Sequence, residues 1–186
     1  MAKYRIALDA MGGDNAPVAI VEGAKLAVEE FPDITVQLYG PEDALRPLIE
    51  GSERIEIVHA PEVIGMHDSP MLAVRQKTES SLVKAVLAVR EGAADAVVSA
   101  GSTGALLAGG MLRIGRIRGI ERPALAPVIP GRKKPFLLID CGANVDCQPR
   151  YLQQFGLMGS VYMQSVQGVP RPEVGLANIG TEAEKG

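Results

Sequence analysis

The stretch Tyr4-Arg-Ile-Ala-Leu-Asp-Ala-Met-Gly-Gly-Asp-Asn-Ala-Pro17 decides the fold. Its first six residues, Tyr4–Asp9, form a short apolar run that is typical of a buried β-strand. Two glycines and polar residues follow as a loop, and Pro17 suits the first turn of a helix. The next apolar residues recur at the spacing of one helical face: Ile20, Ala24, Ala27 and Val28. The stretch therefore predicts a strand, a glycine-rich loop and an amphipathic helix.

The same alternation continues along the chain. We predict further strands at 34–39, 55–59, 95–99, 125–129, 135–140 and 173–178, and helices at 41–49, 82–90, 106–112 and 151–166. Residues 60–81, with prolines, a glycine and several charges, predict a long surface excursion. Repeated alternation indicates the α/β class, with a mostly parallel, doubly wound sheet. We expect residues 1–186 to form a single α/β domain, incomplete because a helix should follow the last strand.

Composition excludes several classes of protein. A hydrophobic fraction of 47% allows a sizeable core, and a formal charge of -3 gives no reason to expect nucleic acid binding. No apolar run approaches the roughly 18 residues that a spanning helix needs, and no secretory signal is visible. Cys141 and Cys147 match neither a disulfide framework nor a common zinc spacing. These features predict a cytoplasmic protein with reduced thiols and no metal site.

Four predicted strands end in small or polar residues, at 9–14, 99–104, 140–146 and 178–182. Because the carboxyl ends of parallel strands lie at one edge of the sheet, we expect these loops to converge there. Glycine-rich turns expose N–H groups, and helix N-termini carry positive partial charge, so the pocket suits an anion, with phosphate the leading candidate. The residues that we assign to this pocket are Asp9, Gly12, Gly13, Asp14, Gly101, Ser102, Thr103, Gly104 and Asn144.

Alternative interpretations stay open at this point. Asp9 and Asp140 suit catalysis but also the simpler role of capping a turn. Cys141 has no histidine near it in sequence, which favours a small buried side chain over a nucleophile. The chain lacks the dinucleotide and P-loop fingerprints, which disfavours a nucleotide-dependent oxidoreductase. The basic residues Arg113, Arg116, Arg118 and Arg122 form either a solvated face or a dock for an acidic partner.

Four motifs of this chain, taken together, resemble those of a known family. ALDAMGGDNAP, VSAGSTGA, DCGANVDCQP and NIGTEAEKG follow one another in the order seen in the bacterial phosphate acyltransferases of the PlsX type. The resemblance covers essentially the whole chain and corresponds to the amino-terminal part of the longer family members. Ser102 and Gln148 depart from the pattern, since members usually carry Asn and Lys there.

The resemblance implies a Rossmann-like α/β/α fold and an activity. Family members transfer a fatty acyl group from acyl carrier protein to inorganic phosphate, giving acyl phosphate for phospholipid synthesis, without a metal or bound cofactor. The resemblance further implies a homodimer, peripheral association with the inner face of the membrane in some members, and a catalytic role for Lys185. It makes acyl carrier protein the acidic partner of the arginines. A non-catalytic fragment that binds phosphate or the carrier protein is the alternative.

Overall fold

The computed structural model describes residues 3–144 and 146–177. The chain divides into two compact units, Met1–Ile117 and Arg118–Gly186, and each is described by itself. The expectation that the whole chain forms one α/β domain stays a prediction.

The first unit contains a four-stranded sheet in the order β3-β2-β1-β4, with every neighbouring pair parallel. Its strands are β1 (Tyr4–Asp9), β2 (Ile34–Gly40), β3 (Ile55–His59) and β4 (Ala96–Ser99). The register places Asp9 opposite Ser99, so β1 and β4 end at the same level of the sheet. The four strands predicted for this part of the chain are confirmed, to within one residue at each end.

Helices connect these strands. They are α1 (Val18–Glu30), α2 (Glu42–Leu45) with the 3₁₀ turn Arg46–Leu48, α3 (Pro70–Gln76), α4 (Ser81–Arg90) and α5 (Thr103–Gly109), which continues as the π-turn Gly110–Ile114. The helix predicted to begin at residue 106 begins three residues earlier, because Ser102 caps it by accepting a hydrogen bond from the Ala105 amide at 3.3 Å. No helix in the described residues has the length and apolarity needed to cross a membrane.

Helices cover both faces of the sheet. Side chains along β1 point alternately to the two faces and contact helices on each. Ile6 and Leu8 pack into a core cluster with Val21 and Val28 of α1. Ala7 packs on the opposite side, against Ala85 of α4 and its neighbours. This arrangement confirms the predicted α/β class with helices on both faces of a parallel sheet.

The expected surface excursion over residues 60–81 is partly wrong. It contains α3, and Val74 on that helix is fully buried, in a cluster with Leu82 and Val86 of α4. Ser69 at the N-cap and Pro70 at the first helical position are ordinary helix-start residues. The prolines and charges of the segment obscured a helix whose apolar face is only Ala73 and Val74.

The second unit contains α6 (Pro149–Ser165) and two short strands, β5 (Val128–Ile129) and β6 (Phe136–Leu137). The strands pair antiparallel, so the expectation of two further parallel strands is wrong here. Only six residues connect them, which allows a hairpin but not the long crossover that parallel pairing needs. The strand predicted at 173–178 is also absent over the described part, 173–177, which is irregular and exposed.

Candidate anion site

Two glycine-rich loops of the first unit are joined by one buried carboxylate. Asp9, the last residue of β1, is only 3% exposed. Its Oδ2 accepts a hydrogen bond from Ser99 Oγ at 2.7 Å, and its Oδ1 accepts one from the Met11 amide at 3.3 Å. Ser99 Oγ in turn accepts from the Gly101 amide at 3.1 Å. The loops at 9–14 and 99–104 therefore begin from a shared hydrogen-bonded base.

The two loops also approach each other closely at their glycines. A Cβ added to Gly12 would lie 2.6 Å from Asp9 Oδ2 and 2.8 Å from the Gly101 nitrogen. A Cβ added to Gly101 would lie 3.1 Å from the Gly12 Cα. Gly13 has a φ of 106°, a conformation that side chains disfavour. A side chain at Gly12 would therefore displace Asp9 or the Gly101 backbone, and one at Gly101 would crowd the Gly12 backbone.

Several backbone N–H groups along the two loops are available to a ligand. Within the described residues, the amides of Gly13, Ser102, Thr103 and Gly104 donate no hydrogen bond to another part of the protein. These unpaired donors, together with the close approach of glycine backbone, suit an anion with several acceptor oxygens. Asp14 is exposed in the first loop.

Helix α3 forms a third wall beside these loops, which the sequence did not predict. A Cβ added to Gly104 would lie 3.0 Å from Pro70 Cγ. The loop before Pro70 is tied down by Asp68, whose Oδ2 accepts from Lys77 Nζ at 2.6 Å and from the Gly65 amide at 2.9 Å. These hydrogen bonds, the one from Lys77 foremost, lower the pKa of Asp68 below its ordinary value of 3.8.

The third predicted loop, at 140–146, belongs to the second unit, where its polar side chains bind one another. Asp140 accepts hydrogen bonds from the Leu125 amide at 2.7 Å and the Asn144 amide at 2.6 Å. Asn144 Nδ2 donates to Asp140 Oδ2 at 3.0 Å and to the Pro123 carbonyl at 2.9 Å. Both residues line a mainly apolar cavity of about 550 Å³ beside α6. Asp140 therefore caps a turn here, which is one of the two roles that the sequence allows for it.

The remaining predicted site residues separate into two groups. Lys185 and the fourth loop, at 178–182, lie outside the described residues. Among the arginines, Arg113 is partly buried and donates to the Val74 carbonyl at 2.7 Å. Arg118 is exposed, and the Arg122 guanidinium lies 5.8 Å from the centre of the Tyr151 ring. The structure thus brings together Asp9, Gly12, Gly13, Gly101 and the start of α5.

The two loops are predictable from the sequence, but the hydrogen bonds of Ser99 that join them are not. The signal that could have indicated this contact is that β1 ends in Asp9 and β4 ends in Ser99, which lie side by side at the edge of the sheet. No cluster of three or more metal-binding side chains of the His, Cys, Asp or Glu type occurs in the described ranges.

The chain matches known proteins along nearly its full length. A family model described as a fatty acid synthesis protein matches residues 4–186. A phosphate acyltransferase of Clostridium acetobutylicum is 54% identical over 185 residues, which cover 97% of this chain and 56% of the relative. One from Geobacillus thermodenitrificans is 53% identical, over 97% of this chain and 56% of the relative. The chain thus spans about half the length of these curated relatives, and the expectation that family members are longer is confirmed.

Two solved structures of similar fold are phosphotransacetylases. The Streptococcus pyogenes protein superposes with a TM-score of 0.67 at 16% identity, covering 91% of this chain and 56% of that one. The EutD phosphotransacetylase of Staphylococcus aureus gives 0.63 at 18% identity, with 88% and 53% covered. At such low identity these likenesses establish the fold alone, and they confirm the expected Rossmann-like fold.

Proposed function

This chain belongs to the fatty acid synthesis protein family, and on that premise we propose that it transfers a fatty acyl group from acyl carrier protein to inorganic phosphate. The product is acyl phosphate, an activated donor for phospholipid synthesis. The observation that carries this proposal is the joined pair of glycine-rich loops, in which the amides of Gly13 and of Ser102 to Gly104 have no partner among residues 3–144 and 146–177. The relatives' name, phosphate acyltransferase, supports phosphate as the anion that these amides hold.

The chemistry follows from the nature of phosphate. Phosphate is already an anion at neutral pH, so it needs positioning and partial desolvation more than a general base. A phosphate oxygen attacks the thioester carbonyl, the new C–O bond forms, and the C–S bond breaks to release the carrier's thiolate. In our proposal the loop amides hold phosphate, and Lys185 neutralises the charge that develops on the carbonyl oxygen.

The remaining members of the site and the partners belong to the same proposal. Asp14 and Asn144 complete the set of residues proposed to lie near phosphate, and no metal or bound cofactor takes part. Arg116, Arg118 and Arg122 dock the acidic carrier protein, with Arg113 contributing charge from its partly buried position. The protein works as a cytoplasmic homodimer that associates peripherally with the inner face of the membrane.

The proposal is tested by trapping the product. The protein is incubated with palmitoyl-acyl carrier protein and phosphate, and released thiol is measured before hydroxylamine is added. Because hydroxylamine also cleaves the thioester substrate, only palmitoyl hydroxamate in excess of a matched sample without the protein is counted, by mass spectrometry. We expect hydroxamate to form in proportion to phosphate concentration, with release of one carrier thiol per hydroxamate. Thiol release without phosphate dependence would contradict phosphate as the acceptor. Phosphate binding without any thiol release would favour the non-catalytic binding fragment instead.

A further inference from the structure

Asp9 is a buried carboxylate that has no role in the proposed chemical step. It is 3% exposed, and within the described residues no Lys, Arg or His forms an ion pair with it. Burial of an ionised carboxylate is unfavourable unless hydrogen bonds satisfy it. Here an O–H group from Ser99 and an N–H group from Met11 do so, one on each carboxylate oxygen. The group is therefore built into the base of the two loops.

Direct contact between Asp9 and phosphate is disfavoured by charge. Two anions at close range repel each other, and the repulsion is strong in a partly buried site. Both oxygens of Asp9 also already accept hydrogen bonds within the protein. The sequence-based assignment of Asp9 as a phosphate ligand therefore fits the geometry less well than an indirect role.

The hydrogen bonds of Ser99 show what that indirect role is. Its hydroxyl donates to Asp9 at 2.7 Å, which directs a lone pair of the same oxygen toward the Gly101 amide, 3.1 Å away. A charged acceptor polarises the hydroxyl and strengthens the second hydrogen bond of the chain. Gly101 is followed directly by Ser102, Thr103 and Gly104, whose amides donate no hydrogen bond within the part of the chain that the structure describes. The orientation of the Gly101 peptide group thus determines the positions of the three amides that follow it.

We propose that Asp9 is a positioning residue that acts through Ser99. The relay from the carboxylate through the hydroxyl to the Gly101 amide holds the loop at 99–104 against Gly12 and fixes the anion-binding amides before phosphate arrives. The inference rests on the proposed function only in taking phosphate as the anion. It predicts that Asp9 and Ser99 control phosphate affinity as one unit.

The test is a double-mutant cycle on binding of inorganic phosphate, followed by the ¹⁵N–¹H shifts of the loop amides. Ser99→Ala removes the relay, and Asp9→Asn leaves one acceptor oxygen where two are used. Each should weaken phosphate binding on the order of tenfold, the loss of one good hydrogen bond. The double variant should be little weaker than either single one, because both changes break the same relay. Ser99→Thr keeps the hydroxyl and should restore affinity to within about threefold.

Ser80→Ala is the matched control. Ser80 is also a buried serine, donating to the Lys77 carbonyl at 2.7 Å and capping α4, but it belongs to neither loop. Its loss should lower stability to urea while phosphate affinity stays at the wild-type value. If Ser99→Ala binds phosphate as well as the wild type, or if the losses in the cycle simply add, the positioning role is wrong.

Hydrogen exchange of the Gly101 amide separates this inference from the proposed function. The amide should exchange faster in Ser99→Ala and Asp9→Asn than in the wild type, but not in Ser99→Thr, whether or not phosphate binds. A wild-type protein that fails to bind phosphate would overturn the proposed phosphate site, and the exchange pattern would still decide the relay. Unchanged exchange in Ser99→Ala would overturn the relay.

Discussion

Gly12 and Gly101 lie back to back where the two loops of the first unit meet. The distance from a Cβ on Gly12 to three different atoms, Asp9 Oδ2, the Gly101 nitrogen and Ser99 Oγ, would be 2.8 Å or less. Two of the three belong to the proposed relay, and the third is the amide that the relay holds. The glycine is therefore required by contact with neighbouring atoms.

Gly12→Ala should damage both stability and binding. The added methyl group must push Asp9 or the Gly101 backbone away, and overpacking of this kind costs about 1–3 kcal/mol. Phosphate affinity should fall with it. Gly23→Ala is the control, because Gly23 lies in α1 with nothing within 4 Å of an added Cβ. That change should stabilise the protein by roughly 0.5–1 kcal/mol. Urea denaturation and phosphate titration of both variants check the contrast; equal behaviour would contradict it.

Lys185 is the proposed source of positive charge in the chemical step. It lies outside the described residues, so this prediction rests on the family motif NIGTEAEKG. Lys185→Ala should lower kcat for hydroxamate formation by on the order of a hundredfold, as loss of an oxyanion-stabilising group does, and leave the urea midpoint nearly unchanged. Lys185→Arg should recover little, because a planar guanidinium does not replace a compact ammonium. Near-normal turnover of the alanine variant would leave the loop amides as the main source of stabilisation.

At the scale of elements, α3 is held beside the anion site by a loop with its own charge pair. Lys77 Nζ donates to Asp68 at 2.6 Å and to the Val63 carbonyl at 2.9 Å, so one amine ties both ends of the loop before α3. This pair is half-exposed, and its contribution is therefore modest and sensitive to salt.

The stability of this loop should depend on pH in one direction. Because hydrogen bonds from Lys77 and Gly65 lower the pKa of Asp68 in the folded state, the contribution of this carboxylate to stability is fully present above its ordinary pKa of 3.8. It is lost as the pH falls through the lower folded pKa. Urea midpoints of the wild type and Asp68→Asn, measured from pH 7 to pH 3, should therefore differ at neutral pH and converge in acid. In a Lys77→Met background the difference at neutral pH should shrink; a constant difference would contradict the assignment.

Local pattern explains why some elements were predictable and others were not. Strands β1 to β4 carry β-branched and aliphatic runs bounded by glycine or charge, and these signals need no knowledge of the tertiary structure. Helix α3 buries only two of its seven residues deeply, which is too short a pattern to detect. The pairing of β5 with β6 depends on the length of their connection, a cue available in the sequence and overlooked.

At the scale of the whole chain, the sequence located the loops of the anion site but not the contacts that organise it. Strand-end positions of Asp9 and Gly101 follow from the α/β pattern alone. The relay through Ser99 depends on the register between β1 and β4. Asp9 and Ser99 are 90 residues apart in sequence and become neighbours only in the folded sheet. Pairing at that separation leaves no periodic signal.

The final prediction concerns electrostatic steering by the basic segment. The chain has a formal charge of -3, so it repels an acidic carrier protein on average, and productive encounter needs a local basic surface. Arg116→Glu combined with Arg118→Glu should raise the apparent KM for palmitoyl-acyl carrier protein on the order of tenfold at low salt. The KM for phosphate should change little. Lys25→Glu combined with Arg46→Glu changes the net charge by the same amount and is the control, because both residues lie outside the basic segment and pair with a nearby glutamate, Glu22 and Glu42.

Salt dependence decides between steering and a direct contact. Screening shortens the range of electrostatic attraction to about 8 Å at physiological ionic strength and about 3 Å at 1 M, so a long-range steering effect should nearly vanish in high salt. The KM difference between the wild type and the double arginine variant should therefore narrow steadily as salt is raised. A difference that persists at 1 M salt would indicate a desolvated contact at the arginines instead. An equal rise in the variant with Lys25→Glu and Arg46→Glu would assign the effect to net charge and leave the arginines without a docking role.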